Sequence, residues 1–543
     1  MTKFWVKSYG EGVPAEINPA AYPSVLAMFD EAVQTFGNRT AFHCFGAELT
    51  FSEYDKLATD FAAYLQNELG VKKGDRVAVM CPNIFAFPVA FYGIIKAGAA
   101  QVNVNPLYTP RELEHQLNDA GVETIVIFSG STPTLAEIVD NTSVKNIITA
   151  GLGDFGNTSV PSPAADDRLT TSVAMTDAVA RGAEMTLTPV ELGLKDTLFL
   201  QYTGGTTGLS KGAVLSHGNL VANVAQFKGF AGSAFQPGDE RIVTALPLYH
   251  IFALMVNFIS YFVIGGTNWL VTNPRELDNV LDALDEAKPT AFTAVNTLFN
   301  ALVASPRLAE LDLSNIRICV GGGAAVHAST SEKWKAATGQ HIREGYGLSE
   351  TAPLLTVNPF NIDRFSGFVG LPVPSTDIIL LDENDNEVGI GEEGEICAKG
   401  PQVMSGYWNR PDANEEVFTK DGYFRTGDIG VYSEEGYLAI VDRKKDMIIV
   451  SGFNVYPNEI EETVSAIDGV AECACVGVAH EKTGEAVRLF VVAAPGADLT
   501  EDAIVKHCRA NLAAYKVPHQ VEFIDELPKS TVGKILRREL RDA

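Results

Sequence analysis

The stretch from Leu200 to His217, LQYTGGTTGLSKGAVLSH, holds residue types that could cradle a polyphosphate. Glycines let backbone N–H groups approach an anion closely, and serine and threonine hydroxyls donate further hydrogen bonds. These donors and one positive charge are carried by Thr203, Gly204, Gly205, Thr206, Thr207, Gly208, Ser210 and Lys211. A Walker A loop needs serine or threonine directly after the lysine, whereas Gly212 stands there. We therefore predict an anion site of another kind, with a flexible polar surface loop as the alternative.

Two glycine-containing segments further along the chain could contact a nucleotide. REGYGLSETAP (343–353) brings together an aromatic, a hydroxyl and a carboxylate: Tyr346 could lie against a nucleobase, and Glu350 could hold Mg²⁺, which prefers oxygen ligands. Upstream, CVGGGAAV (319–326) predicts a strand running into a glycine-rich turn, where a flat ligand could touch backbone. The alternative for both segments is an ordinary turn between a strand and a helix.

Charged residues mark three positions in the last quarter of the chain. Asp428, in GYFRTGDIG, is a carboxylate beside a glycine and suits bidentate hydrogen bonding to ribose hydroxyls. Arg443 belongs to the charge run of DRKKDMIIVSGFNVYPNEIE (442–461) and could pair with phosphate or ribose, and the run itself could be an interdomain hinge. Lys534, in ELPKSTVGKILRREL, becomes catalytic only if the C-terminal part swings onto the phosphate loop. A solvated turn or charge is the alternative in each case.

Helix-like and strand-like segments alternate around these motifs. Residues 52–70 have helical apolar spacing, 75–81 form an apolar strand-like run, and 86–99 are helix-like again. Such alternation predicts α/β layers with largely parallel sheets. The run TLFLQYT (197–203) predicts a strand directly before the phosphate loop, and AVLSH (213–217) predicts a second strand after it.

The composition and the hydrophobic pattern of the chain change in three regions. Residues 151–190 are rich in Gly, Ser, Thr, Pro and Asp and predict a long surface connection. Short strand-like runs between 375 and 442 predict a small β-rich subdomain, and the roughly 100 residues after it mix strands and helices, which predicts a small α+β domain. Within that domain Cys473 and Cys475 alternate in AECACVGV, which predicts a strand with one buried face.

Composition excludes several classes of protein. The 543 residues suffice for two to four domains, and a formal charge of −27 argues against nucleic-acid binding and against broad attachment to anionic lipid. Seven scattered cysteines without a CxxC pair indicate a reduced, cytosolic protein. We expect no signal peptide, because the first residues lack an apolar core. The most apolar run, 251–266, has 16 residues and predicts a buried helix, since a membrane span needs about 20.

Taken together, the motifs resemble the adenylate-forming superfamily of acyl-CoA synthetases, adenylation domains and luciferases. Five match in order over essentially the whole chain: the phosphate loop, YGLSET, YFRTGD, DRKKDMIIVSGFNVYPNEIE and PKSTVGK. Within the superfamily, the segments 103–121, 243–254 and 421–445 resemble bacterial long-chain fatty-acid–CoA ligases.

The resemblance implies a fold and a reaction. The fold is α/β, with a large N-terminal domain over 1–442 made of two α/β sheet layers and a β-barrel-like subdomain at about 375–442. A small, mobile α+β domain follows over 443–543, with the hinge near Lys445. In the reaction a fatty carboxylate attacks the α-phosphate of ATP, giving acyl-AMP and pyrophosphate, and the thiol of coenzyme A then releases AMP. Mg²⁺ is the implied metal.

The resemblance also assigns roles to residues. The implied catalytic residues are Lys534, Glu350, Lys211 and His250. The implied contacts to ATP and coenzyme A fall on Thr203, Gly204, Gly205, Thr206, Thr207, Gly208, Lys211, Gly323, Tyr346, Gly347, Ser349, Asp428, Arg443, Lys445 and Gly452. The implied metal contacts are Glu350 and Thr203. Ser349 stands where many relatives have threonine, which keeps the hydroxyl and removes only a methyl group.

Several alternatives stay open at this point. A luciferase-like oxygenase would share the adenylation step, and a non-catalytic nucleotide-binding module would bind ATP without releasing pyrophosphate. A medium-chain or aryl acid is the alternative to a long-chain substrate. We expect a cytoplasmic enzyme that does not bind nucleic acid. Peripheral contact with the inner face of the cell membrane and a homodimer are both compatible with the resemblance.

Overall fold

The computed structural model describes residues 3–203, 210–361, 364–451, 453–480, 482–530, 533 and 535–541. Within these ranges, four β-sheets and the helices around them form a mixed α/β protein. Three of the sheets lie in a large N-terminal domain and one lies in a smaller C-terminal domain. The predicted fold class is confirmed.

The seven-stranded sheet carries the strand that leads into the phosphate loop. Its strands lie in the order Val173–Ala174, Asn146–Ala150, Thr124–Phe128, Arg76–Met80, Ala100–Asn103, Thr197–Thr203 and Lys211–Ser216. Neighbouring strands are parallel except for the last pair, which is antiparallel. The strand predicted at 197–203 has the predicted bounds, and the strand after the loop begins two residues earlier than predicted.

The nine-stranded sheet forms the second α/β layer. Its strands lie in the order Leu371–Pro372, Leu354–Val357, Arg343–Gly347, Ile318–Gly321, Ala291–Ala294, Arg241–Thr244, Thr267–Leu270, Thr40–Cys44 and Ala47–Thr50. One apolar core extends between the two large sheets and includes Phe199 of the first and Ile242 of the second. Burial of this core is the main driving force for assembling the two layers.

Helices cover both large sheets and pack around the smaller ones. The described α-helices are Val25–Phe36, Phe51–Asn67, Ala86–Lys96, Pro110–Ala120, Thr132–Ala136, Met175–Gly182, His217–Ala231, Tyr261–Val263, Leu277–Ala287, Asn296–Ala304, Ala328–Thr338, Pro411–Val417, Pro457–Ser465, Glu501–Asn511 and Arg537–Arg541. A buried π-helix, Ala253–Ser260, precedes Tyr261–Val263 and confirms the buried helix predicted at 251–266. Across the described ranges, no helix combines the length and apolarity that crossing a bilayer would require.

The two smaller sheets account for the β-rich and α+β regions. The four-stranded sheet is antiparallel, in the order Asp377–Leu381, Gly394–Lys399, Phe424–Tyr432 and Leu438–Arg443. The five-stranded sheet has the order Phe453–Val455, Ile448–Val450, Gly484–Ala493 and Val470–His480, with Gln520–Phe523 parallel to Gly484–Ala493. The predicted β-rich run and the predicted mixture of strands and helices after it are both observed.

The predicted long surface connection over 151–190 is wrong for its second half. Strand Val173–Ala174 joins the edge of the seven-stranded sheet, and helix Met175–Gly182 buries one face. A β-carbon at Gly182 would lie 1.8 Å from the carbonyl oxygen of Asp60, so this helix approaches helix Phe51–Asn67 closely enough to require glycine. Tertiary packing therefore supplies the order that the local composition does not suggest.

The strand around Cys473 and Cys475 is buried on both faces, so the prediction of one buried face is wrong. These two cysteines belong to the apolar cluster beneath the helices of the C-terminal domain. The residues that alternate with them pack against Leu527 and Leu540 of the C-terminal tail. The tail thus covers a face that the strand pattern alone would leave to solvent.

Every cysteine of the chain lies in the described ranges and is free and buried. Burial raises the pKa of each thiol, because an apolar surrounding disfavours the thiolate. The set is Cys44, Cys81, Cys319, Cys397, Cys473, Cys475 and Cys508.

Candidate active site

The stem of the phosphate loop is held by side chains around Ser210. Its Oγ donates a hydrogen bond to the carbonyl oxygen of Thr203 at 2.6 Å, which ties the two ends of the loop together. His115 Nε2 lies 2.9 Å from the carbonyl oxygen of Ser210, and the Tyr108 side chain lies close to that of Ser210. The predicted loop residues Gly204, Gly205, Thr206, Thr207 and Gly208 lie outside the described residues.

Lys211 begins the strand after the loop, directly opposite Thr203 in the antiparallel pair. Its ammonium lies over the ring of Tyr407, 5.2 Å from the ring centroid. The hydroxyl of the same tyrosine donates a hydrogen bond to Oε1 of Glu350 at 2.7 Å. The phosphate-loop lysine and the candidate metal ligand are therefore brought to one place, with Tyr407 between them.

Glu350 is held in a buried position within the short 3₁₀ helix Ser349–Thr351. Its carbonyl oxygen accepts a 2.7 Å hydrogen bond from the backbone N–H of Met404. Burial raises the pKa of the Glu350 carboxyl, and the Tyr407 hydrogen bond acts in the opposite direction. A carboxylate in this position is costly to ionise unless a cation lies close by. Ser349, beside it, is half-buried.

Tyr346, Asp428 and Arg443 form a second group on three different strands. Asp428 Oδ2 accepts a 2.6 Å hydrogen bond from the hydroxyl of Tyr346. Its other oxygen lies 3.4 Å from Nε of Arg443, and Asp428 and Arg443 are opposite each other in the four-stranded sheet. Burial first, and then the charge of Asp428, raise the pKa of Tyr346 well above its usual value.

The two groups are electrostatic neighbours. The Asp428 carboxylate raises the pKa of Glu350, and the Arg443 guanidinium lowers it. One site therefore places a lysine, two buried carboxylates, an arginine and two tyrosines around the end of strand Thr197–Thr203. This set matches the needs of a nucleotide: cations for phosphate, a carboxylate for ribose and an aromatic ring for the base.

Two predicted glycines lie at the same end of the nine-stranded sheet, Gly347 as the last residue of strand Arg343–Gly347 and Gly323 shortly after strand Ile318–Gly321. Gly347 follows Tyr346, and a β-carbon there would lie 1.8 Å from the carbonyl oxygen of Pro353. Gly323 is exposed and has φ of +79°, in the region that favours glycine. The backbone of both residues is thus free of side-chain obstruction where a ligand could approach.

His250 lies in the loop that leads into the buried π-helix. Gln201, on the phosphate-loop strand, donates a 3.1 Å hydrogen bond to the carbonyl oxygen of Tyr249. His250 Nδ1 accepts a hydrogen bond from the N–H of Phe252 at 3.3 Å. The ring of Phe252 lies so close to Gly322 that a β-carbon there would be 3.1 Å away. The His250 loop is therefore tied both to the phosphate strand and to the glycine-rich turn.

The C-terminal tail contacts the N-terminal domain near the glycine-rich turn. Gly533 lies against the segment after strand Ala291–Ala294, since a β-carbon on it would be 2.8 Å from Oγ1 of Thr297. On either side of Gly533 the tail is anchored to its own domain, through Lys529 to Glu472 at 2.7 Å and Arg537 to Glu461 at 2.8 Å. Lys534 and Gly452 lie outside the described residues.

Lys445 lies between the two domains, beside the Asp428 group. Burial, followed by the charge of Arg443, lowers its pKa to about 8. Just before it, Asp442 Oδ2 accepts a 3.0 Å hydrogen bond from the N–H of Asn458, in the first turn of helix Pro457–Ser465. This contact joins the last strand of the four-stranded sheet to the C-terminal domain, and a negative charge is favourable at a helix N-terminus.

Two family models match the chain. The model described as AMP-binding enzyme matches residues 29–408, and the model described as AMP-binding enzyme C-terminal domain matches residues 459–534. The chain belongs to the AMP-binding enzyme family.

Relatives of this AMP-binding enzyme match it over its whole length. It is 51% identical to the long-chain-fatty-acid–CoA ligase of Salmonella typhimurium, with 100% of this chain and 98% of the relative covered. It is 50% identical to the long-chain-fatty-acid–CoA ligase of Escherichia coli O6:H1 with the same coverage. Among solved structures, ATP-bound MatB from Rhodopseudomonas palustris is similar at a TM-score of 0.85 and 32% identity, over 96% of this chain and 98% of that one.

Sequence reasoning missed four residues that shape the site of this AMP-binding enzyme. His115 contacts the stem of the phosphate loop, and Tyr108 lies close to it. Gln201 holds the His250 loop, and Tyr407 contacts both Lys211 and Glu350. The sequence does indicate that a helix starts at Thr109, because a threonine followed three residues later by a glutamate is typical of a capping box. That signal places His115 on a helix and says nothing about which loop it contacts.

Proposed function

We propose that this chain is an ATP-dependent long-chain-fatty-acid–CoA ligase. A carboxylate oxygen of the fatty acid attacks the α-phosphorus of ATP, and pyrophosphate leaves with the bonding electrons, which yields acyl-AMP. The sulfur of coenzyme A then attacks the acyl carbon, its proton is released, and AMP leaves. The observation that carries the proposal is the meeting of Lys211, Glu350 and Asp428 around the end of strand Thr197–Thr203, in a chain half identical to the Salmonella ligase throughout.

Asp428, Arg443 and Tyr346 are proposed to bind the nucleoside part of ATP. The Asp428 carboxylate would accept hydrogen bonds from ribose hydroxyls, with Arg443 3.4 Å away to balance its charge or to contact phosphate. The ring of Tyr346, whose hydroxyl bonds to Asp428, would lie against adenine. Gly347 and Gly323 would offer backbone to the same nucleotide. Ser349 would supply a hydroxyl near the α-phosphate.

The residues around Glu350 fit a magnesium ion. Its buried carboxylate has oxygen donors of the kind that Mg²⁺ prefers. Burial raises the pKa of this carboxyl, because an enclosed carboxylate is costly to ionise. In the described part of the chain, His, Cys, Asp and Glu side chains form no group of three or more that could hold a metal. Glu350 and Thr203 would therefore share the ion with phosphate oxygens of the substrate. When bound, Mg²⁺ offsets negative charge on the transferring phosphate.

Lys534 is proposed to bridge the fatty carboxylate and the α-phosphate during adenylation. Support comes from its neighbour Gly533, which lies against Thr297 beside the glycine-rich turn. We propose a division at residue 442, with rotation of the domain 443–543 about Lys445 after adenylation. One lysine cannot stay beside the α-phosphate while coenzyme A enters the same space, and rotation would bring Gly452 to the pantetheine path.

The acyl chain is proposed to enter near His250. The buried residues of 251–264 include the π-helix, and π-helical segments are frequent at functional sites. Each buried methylene contributes about 0.8 kcal/mol, so a deep apolar path would favour long acids. Comparing kcat/KM for pyrophosphate release from hexanoate to stearate, with benzoate as the aryl acid, tests this. A maximum at hexanoate or benzoate would refute the long-chain assignment.

The half-reactions can be tested separately. With ATP, palmitate and coenzyme A, we expect palmitoyl-CoA by mass spectrometry and no light emission, whereas a luciferase-like oxygenase would give an oxidised product. Lys534→Ala should slow formation of acyl-AMP by about 10²-fold or more, because it removes a preorganised charge at the reacting phosphate. Conversion of supplied acyl-AMP to acyl-CoA should stay close to that of the unaltered enzyme. Equal loss in both steps would refute the assigned role.

We also propose a cytoplasmic enzyme that makes peripheral contact with the inner face of the membrane, because its long-chain substrate partitions into bilayers. Co-sedimentation with phosphatidylglycerol vesicles, with and without palmitate, tests this contact. We further propose that the chain forms a homodimer. The molar mass from light scattering at micromolar concentration distinguishes a dimer from a monomer.

A further inference from the structure

Tyr407 lies in a segment that is fixed onto the strand beginning with Lys211. The N–H of Val214 donates a 2.9 Å hydrogen bond to the carbonyl oxygen of Gly406, and the N–H of Trp408 donates one of 2.8 Å to that of Gly212. These two bonds flank Tyr407, so its backbone position is set by the strand and not by the surrounding loop. The same segment supplies the Met404 N–H that holds the Glu350 carbonyl.

The hydroxyl and the ring of Tyr407 contact different groups. Its hydroxyl donates to Glu350 Oε1 at 2.7 Å, while its ring face receives the ammonium of Lys211 at 5.2 Å from the centroid. An aromatic face attracts a cation at this distance, and a hydroxyl that donates to a carboxylate restrains the orientation of that carboxylate. Both groups are thereby oriented by one rigid side chain.

This arrangement also keeps two opposite charges apart. Lys211 and Glu350 each contact Tyr407, and among the described residues no ion pair joins them. If they met directly, the lysine would neutralise the carboxylate, and neither would be free for ATP or a cation. Tyr407 gives each group a weaker, neutral partner, so neither charge offsets the other before the substrate binds.

We propose that Tyr407 is a positioning residue that orients Glu350 for the metal ion and holds Lys211 for the phosphates of ATP. The inference rests on the proposed roles of Glu350 and Lys211. Partners of metal ligands typically change metal affinity by 10–100-fold when they are removed. We expect Tyr407→Phe, which keeps the ring and removes the hydroxyl, to affect the metal ion more than the nucleotide.

The chain contains a matched control at a distance from this site. The hydroxyl of Tyr92 donates a 2.6 Å hydrogen bond to Oδ1 of Asp30, and the ammonium of Lys96 lies 4.3 Å from its ring centroid. Tyr92→Phe therefore removes the same kind of bond from the same kind of group. It should lower thermal stability, as the loss of a partly buried hydrogen bond does, and leave metal binding unaffected.

The experiment measures Mn²⁺ binding to the full-length protein by electron paramagnetic resonance, with a non-hydrolysable ATP analogue present. We expect Tyr407→Phe to weaken Mn²⁺ binding by about tenfold or more. Affinity for the analogue without metal should stay within about twofold, because the ring still holds the lysine. Tyr407→Leu should weaken both, and Tyr92→Phe should weaken neither.

The outcomes separate this proposal from the proposed function. Unchanged Mn²⁺ affinity in Tyr407→Phe, or an equal loss in Tyr92→Phe, overturns the positioning role while leaving the ligase assignment intact. Retained Mn²⁺ binding in Glu350→Gln overturns the metal role of Glu350 and the positioning role with it. The Mg²⁺ concentration that half-saturates pyrophosphate release should rise in Tyr407→Phe in parallel with the Mn²⁺ result, and rescue at high Mg²⁺ would support the proposal further.

Discussion

Replacing Arg537 with methionine should destabilise the C-terminal domain strongly. Its guanidinium donates to Glu461 at 2.8 and 3.3 Å and to the side-chain oxygen of Asn458 at 2.9 Å, and lies 3.7 Å from Asp446. Only 16% of the Arg537 side chain and 13% of the Glu461 side chain are exposed. Methionine fills similar space but leaves Glu461 without its cation, and breaking a buried pair in this way costs about 3–5 kcal/mol.

The neighbouring Arg541 provides a control on the same helix. It contacts Asp446 at 2.9 Å, but its side chain is 33% exposed, so water compensates for much of the loss. The Asp446 side chain is only 9% exposed, but it keeps Arg537 at 3.7 Å when Arg541 is replaced. We therefore expect Arg541→Met to cost about 1 kcal/mol, the upper end of the range for exposed pairs. Arg537→Lys, which keeps the charge and loses the planar fork, should fall between the two.

Hydrogen exchange of the strand Val470–His480 measures the difference directly. A loss of about 3–5 kcal/mol lowers amide protection by about two to four orders of magnitude, because about 1.4 kcal/mol corresponds to a factor of ten. Arg541→Met should lower it by less than about tenfold. If the two methionine variants exchange at similar rates, the buried ion pair does not hold the tail to its domain, and the reasoning fails. The Arg537 variant should also lose adenylation activity, since this helix anchors the tail that carries Lys534.

Two further predictions concern the approach of backbone to the site and the contact between the domains. Gly347→Ala should lower the unfolding free energy by about 1–3 kcal/mol, since its β-carbon would overlap the Pro353 carbonyl at 1.8 Å; a melting temperature equal to that of the unaltered protein would contradict this. Burial raises the pKa of Asp442 to about 6, so the folded state binds its proton more tightly than the unfolded chain and loses stability as the pH rises from about 4 through 6. Asp442→Asn should remove about 2–3 kcal/mol of that pH dependence, at about 1.4 kcal/mol per pKa unit, in guanidinium unfolding at pH 4.5 and 7.5; identical pH slopes would count against it.

The elements nearest the phosphate loop could be predicted from the sequence because their signals are local. The strand 197–203 is a mainly apolar run that is followed by glycines, and its bounds agree with the structure to the residue. The helix Phe51–Asn67 begins at a capping box made by Thr50 and Glu53, and it has helical apolar spacing throughout. In such cases burial and local propensity favour the same structure.

Contacts between distant segments could not be predicted in this way. Tyr407 is 57 residues from Glu350 in the chain, and its position depends on how its loop pairs with the strand that begins at Lys211. Helix Met175–Gly182 lies in a polar stretch and is ordered by packing against helix Phe51–Asn67. Local composition says little about either, because the stabilising partner lies elsewhere in the chain.

The burial of all seven cysteine thiols has a consequence for a protein that is proposed to make an activated acyl group. An acyl-adenylate reacts with any accessible thiolate, and a cysteine side chain at the surface would capture the acyl group in place of the cosubstrate. Here every native sulfhydryl is kept both protonated and enclosed, so the sulfur of an incoming coenzyme meets no rival nucleophile of its own kind. Burial thus protects the cysteines of this protein from acylation by its own intermediate.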